Sequence, residues 1–93
     1  MKNMEEKRLV YEGNRMSNSI KEYEYISHTD HMFIVREHWG RIVKRVASTN
    51  HQLLSLDKEK VREFLLDGIT EALKRKEDQL RHLRQELERV ENL

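Results

Sequence analysis

The fold turns on nineteen residues, Asp30-His-Met-Phe-Ile-Val-Arg-Glu-His-Trp-Gly-Arg-Ile-Val-Lys-Arg-Val-Ala-Ser48. Two readings compete for them. As a helix capped by Asp30, the stretch sets Val35, Trp39, Ile42, Val43, Val46 and Ala47 on one face at helical spacing. Gly40 then sits mid-helix, at a cost of about 1 kcal/mol. As two strands, Met32–His38 and Arg41–Ala47, the stretch uses Trp39–Gly40 as its turn. The run Met32-Phe33-Ile34-Val35 fits a buried strand better than an amphipathic helix, because β-branched and aromatic side chains crowd a helix and suit a pleated surface. The strand reading is preferred.

Toward the N-terminus, Lys7–Glu12 and Ile20–Ser27 read as two more strands, with turns at Gly13–Ser19 and His28–Asp30. Both readings of residues 30–48 keep a hairpin from about residue 7 to 27. Five of the six aromatics (Tyr11, Tyr23, Tyr25, Phe33 and Trp39) precede residue 50, and only Phe64 follows it.

Toward the C-terminus the period changes. Ser55 or Asp57 can cap a helix whose first turn carries Asp57 and Glu59, where the helix dipole favours negative charge. Leu66, Ile69, Leu73, Lys76, Leu80, Leu83, Leu87 and Val90 follow at alternating steps of three and four, which makes a heptad seam. Between residues 61 and 73 the apolar stripe also takes in Val61, Phe64, Leu65 and Ala72. Beyond residue 76 it narrows to the seam alone. A wide stripe faces a domain core and a narrow one a single partner helix. Residues 57–74 are therefore expected on the N-terminal half, and residues 76–93 as a coiled-coil tail. A helix of ~36 residues is about 54 Å long, more than so small a domain can cover.

The expectation is an α+β fold of one small domain, residues 1–93. An antiparallel β-meander or hairpin fills the sheet-rich residues 1–50. One long helix fills residues 55–92 and protrudes or oligomerises from about residue 76.

Composition sets the limits. The chain has 93 residues, a net charge of +1, 38% charged residues and no cysteine or proline, and its mean hydropathy is −0.92. No apolar run approaches a membrane span, and no signal-peptide core opens the chain. Zero cysteine excludes disulfides and thiolate metal sites and fits a reducing, cytoplasmic setting. A chain this short buries about 60–65% of its unfolded surface, and a core of this size supplies ~3–5 kcal/mol. Oligomerisation is a common remedy. Short, charge-rich and free of cysteine, the chain has the general character of small accessory proteins of phages or other mobile elements, although no motif carries that likeness.

Leu66, Leu73, Leu80 and Leu87 recur every seven residues, as in a leucine zipper. The basic region that a DNA-binding zipper needs ahead of its seam is here Leu56-Asp57-Lys58-Glu59-Lys60-Val61-Arg62-Glu63, which is charge-mixed. The leucines take the a positions, and Ile69, Lys76, Leu83 and Val90 take d. In a parallel dimer Glu86 would face Glu91 of the other chain, so an antiparallel pair or a bundle suits the sequence better. Lys76 disfavours large dry oligomers.

The second candidate surface is the strip Arg36, Arg41, Lys44 and Arg45, with Tyr23 and Tyr25 in the same half. Residues 30–50 carry four cations against Asp30 and Glu37. Basic residues beside exposed aromatics can bind single strands through phosphate contacts and base stacking, although a solvated face explains the strip equally well. Trp39 is expected in the core, with Val35, Ile42 and Val43. His28, Asp30, His31, Glu37 and His38 have the residue types of a metal site, but neither a strand nor a helix brings three of them together. No nucleophile elbow or phosphate loop is present, and paired carboxylates such as Glu22 and Glu24 read as a solvated strand face.

The functional expectation is a non-catalytic interaction or regulatory protein, of adaptor or inhibitor type. It is a homo-oligomer, dimer favoured, through Leu66, Ile69, Leu73, Leu80, Leu83, Leu87 and Val90. It presents its sheet half to a protein target and needs no cofactor, metal, membrane or small-molecule substrate. The alternative is a small dimeric nucleic-acid-binding protein that uses the Arg36–Arg45 strip.

Overall fold

A computed structural model describes residues 8–93. Five antiparallel strands precede one helix: β1 (Leu9–Asn14), β2 (Ser19–His28), β3 (Met32–Arg36), β4 (Ile42–Val46), β5 (Gln52–Ser55) and α1 (Lys58–Glu91). The strand order is β4-β3-β2-β1-β5. The α+β architecture and the strand reading of residues 31–47 both hold. Lys7, the first residue of the expected first strand, lies outside the described residues.

Local chemistry explains the three hairpins. The β1–β2 loop turns on Asn18, whose φ of 52° is left-handed, a region asparagine tolerates better than most residues. Asn14 Oδ1 accepts from the Met16 amide at 2.8 Å and starts that loop. At the β2–β3 turn, Thr29 Oγ1 accepts from the Met32 amide at 3.2 Å. The β3–β4 hairpin closes through Gly40 N to Glu37 O, 2.8 Å. Gly40 lies at φ 85°, the left-handed residue a three-residue hairpin loop requires.

Register sorts the side chains into two faces. Val10 opposes Tyr23, and Tyr25 opposes Val35, which opposes Val43. These residues share one face with Leu54, because Leu54 opposes Glu12 and Glu12 lies two residues from Val10. Val10, Tyr23, Val35 and Leu54 form the buried core, with Tyr25, Phe33, Val43 and Leu56 packed around it. The helix does not cover this face. The sheet encloses it by curling, helped by a register shift in β2 between Tyr25 and Ser27. The two edges approach where Ser48 bridges Leu53 and the Leu54 amide donates to Ala47 O at 2.8 Å.

β5 is the element that the sequence reading lacks. It consists of Gln52, Leu53, Leu54 and Ser55, too short to display a period, and it carries the sheet past the expected limit at residue 50.

The helix packs on the outer face, against β1 and β5. Asp57 caps it by accepting from the Glu59 amide at 3.0 Å, and Ser55 Oγ accepts from the Asp57 amide at 3.0 Å. Val61 and Leu65 are its two buried residues. They lie over Gly13, where an added Cβ would stand 2.5 Å from Val61 Cγ1, so a side chain there would hold the helix away from the strand. Beyond this contact the helix leaves the head. The molecule measures 80 × 24 × 23 Å with a radius of gyration of 20.4 Å, whereas a compact chain of this length has one of about 12 Å.

Candidate interaction surfaces

The heptad seam runs along the part of α1 that leaves the head. Leu66, Ile69, Leu73, Leu80, Leu83, Leu87 and Val90 are each between 40% and 62% exposed. Among the described residues, nothing covers the stripe over its outer half. Ion pairs Arg62–Glu59, Arg81–Asp78 and Arg89–Glu86 at i,i+3 spacing support the exposed turns, each by only a few tenths of a kcal/mol.

One side chain fixes the direction in which the seam projects. Arg15, in the β1–β2 loop, lies across α1 with its guanidinium 3.8 Å from the centre of the Phe64 ring. Its Nε donates to Phe64 O at 3.0 Å, and its Nη1 donates to Asn50 O at 3.4 Å. Gly68 leaves the room: a Cβ there would meet Arg15 Nε at 2.7 Å. A mid-helix glycine that weakens the helix by about 1 kcal/mol is thereby exchanged for a clamp. Past the clamp, Arg15, Met16, His51, Ile69 and Leu73 border an open crook of about 640 Å³ between the head and the helix.

The second surface does not form a single strip. Arg36 and Lys44 point outward, since Ile34 opposes Lys44 and Arg36 opposes Ile42. Arg36 Nε is 3.4 Å from Glu24 Oε2, and its Nη1 donates to Gly40 O at 3.3 Å. Arg41 and Lys44 are exposed. Arg45, one residue on from Lys44, points inward. It donates to Glu12 at 3.4 Å and Glu37 at 3.3 Å, and its guanidinium lies 4.9 Å from the Tyr23 ring centre. Strand alternation thus parts Arg45 from the other cations.

The tyrosines also turn inward. Tyr23 is in the core, and its hydroxyl donates to Glu12 at 3.3 Å. Burial, and after it the charge of Glu12, pushes its phenol above the ordinary value of 10.0. Tyr25 packs edge-on against Phe33 with ring centres 6.3 Å apart, and its hydroxyl is 2.7 Å from His28 Nδ1. His28 is thus engaged in an aromatic cluster with Tyr25 and Phe33. Among the described residues no group of three or more His, Asp or Glu side chains is placed to hold a metal.

Trp39 corrects the sequence reading in the other direction. It is 90% exposed, because the hairpin turn that Gly40 closes puts residue 39 at its apex. Its helical spacing to Val35 and Ile42 has no meaning in two strands. Ile42 and Val46 are also exposed, on the outer face of β4. The sequence signal for all three was available: Gly40 as the turn residue implies an apical Trp39, and alternation then sends Ile42, Lys44 and Val46 to one face.

The chain matches no known protein family, no curated protein and no solved structure. Among the described residues, no helix is long and apolar enough to cross a membrane.

Proposed function

We propose that this chain is a non-catalytic interaction protein of regulatory type, adaptor or inhibitor. It forms a homodimer through Leu66, Ile69, Leu73, Leu80, Leu83, Leu87 and Val90 and holds out its sheet head to a protein target. The observation that carries this reading is the half-exposed apolar seam on a helix that projects beyond its own core. An exposed apolar stripe of this length costs solubility unless something covers it, and an unsupported helix of this kind is marginal in water. The head offers a target the exposed Trp39 at its hairpin apex, and Ile42 and Val46 along the outer face of β4; tryptophan is among the residues enriched at interface anchors. The cysteine-free sequence fits a reducing, cytoplasmic setting.

Leu80→Glu tests the reading. It places a charge in the seam more than two helical turns beyond the last head contact, so the head should stay folded. Light scattering is expected to give twice the chain mass for the native protein and the single-chain mass for Leu80→Glu. A native protein that stays at single-chain mass throughout the micromolar range would overturn it.

The apical Trp39, with His38 and Arg41 in the same hairpin turn and Lys44 exposed along β4, favours one second reading, nucleic-acid binding by stacking and phosphate contact. Anisotropy titration of short DNA and RNA probes at several salt concentrations separates the two. Binding that weakens steeply with salt and is lost on replacing Arg41 and Lys44 with Glu supports the nucleic acid. No binding at low salt leaves the protein target.

A further inference from the structure

Resting on the self-association proposed above, we infer that the occupant of the seam is a second copy of this chain, running antiparallel, with Leu80 packed against the partner's Leu83. The pairing is decided by the residues that flank and interrupt the apolar stripe. In a parallel, in-register dimer, each d position meets itself. The two Lys76 side chains would then share one buried layer, and Glu86 would face the partner's Glu91 on both sides. Both contacts are repulsive. An antiparallel pair sets a against d, so Lys76 meets a leucine of the partner, the partner's Leu87 when Leu80 lies opposite the partner's Leu83. Its aliphatic stem can cover that leucine while the ammonium reaches water.

Charge then selects one antiparallel register. With Leu80 opposite the partner's Leu83, Leu73 lies opposite the partner's Val90. Glu77 flanks the partner's Arg84, and the twofold axis repeats that pair. Gln79 flanks the partner's Glu86, a neutral contact. Sliding the partner one heptad toward the head sets Glu77 beside the partner's Glu77. Sliding it one heptad away sets Arg84 beside the partner's Arg84. Only the central register turns both flanking charges into attractions.

The shape of the molecule accommodates this arrangement. In the central register the partner's Val90 and Glu91 arrive level with Leu73 and Ala72, where the crook beside Met16 and His51 stands open. Ile69 borders that crook, and in this register Leu66 and Ile69 lie headward of the partner helix, so the contact narrows the proposed seam to Leu73–Val90. The two heads lie at opposite ends of a rod. One molecule is 80 Å long, and its helix passes the twofold axis by only ten residues, so the dimer would measure about 130 Å at 1.5 Å per residue.

Sedimentation equilibrium on charge variants, with small-angle scattering on the native dimer, tests the pairing. Glu77→Arg and Arg84→Glu are each expected to weaken dimerisation on the order of tenfold, since each turns two attractive pairs repulsive. The double variant is expected to return to near the native affinity. Both sites are exposed and outside the head, and circular dichroism checks that the head stays folded. In the cysteine-free chain, Glu77→Cys combined with Arg84→Cys is expected to oxidise to a covalent dimer. A dimer near 80 Å long, or one indifferent to both single variants, would overturn the antiparallel register while leaving self-association standing. A native chain that sediments as a monomer at all concentrations would overturn both.

Discussion

Glu12 is only 4% exposed, yet it is a carboxylate inside the curl of the sheet. Burying one charge is costly unless a partner and hydrogen bonds offset it. Arg45 and the Tyr23 hydroxyl supply both. Truncating either side of such a pair costs more than the pair contributes, because the remaining group stays buried and unpaired. Tyr23 gives the pH-dependent consequence. Burial raises its phenol above 10.0, so the folded state holds that proton more tightly than the unfolded chain does. Stability is therefore undiminished by this group below pH 10 and falls as pH rises past it. Urea unfolding between pH 8 and 11 is expected to show a steeper alkaline loss in the native protein than in Tyr23→Phe. The phenylalanine variant is expected to start about 1 kcal/mol lower at pH 8, for the lost hydrogen bond. The inward turn of Tyr23 and Arg45 was not legible in the sequence. Alternation tells which residues share a face, but not which face a curling sheet will close upon. Two tyrosines and an arginine do not look like lining until that closure is known.

At the scale of elements, helix α1 was the most legible part of the chain. Its cap at Asp57, its period and the narrowing of its apolar stripe are properties of local sequence, and local sequence is what sets a helix. β5 was illegible for the complementary reason. Its four residues form a strand because β1, brought from far along the chain, offers them hydrogen-bond partners, while a tight turn bridges Leu53 back to Ser48 on the other side. The strands of residues 9–46 fall between these cases: the turn residues Asn18 and Gly40 mark their limits, while Trp39 was misplaced by a helical spacing that the hairpin abolishes. Among the described residues the outer half of α1 projects beyond the head, so the proposed dimer would lend it helicity. Helical ellipticity at 222 nm is expected to fall on dilution through the dimer dissociation range, with amide exchange of residues 76–90 accelerating in step. Ellipticity that stays constant through dissociation would mean that the exposed helix holds itself, through its ion pairs and propensity alone.

At the scale of the whole molecule, the sheet is joined at its far ends. Strands β1 to β4 are linked by short hairpins and can pair with near neighbours as they form. Tyr11 to Asn14 must also find Gln52 to Ser55, which closes a loop of roughly 40 residues and carries the entropy of that closure. Helix α1 packs mainly on β1 and β5, so its docking site is incomplete until that pairing is made. The connectivity predicts an order of assembly, with the meander early and the β5–α1 flap late. In a chevron measured on Leu80→Glu, the variant expected to be monomeric, Val35→Ala, in the meander, is expected to slow refolding. Leu54→Ala and Val61→Ala, in the flap, are expected chiefly to speed unfolding. The same order is expected on the ribosome, where the first four strands emerge first and a sheet made of them would have an open edge beside β1. The residues that will cover that edge are synthesised next.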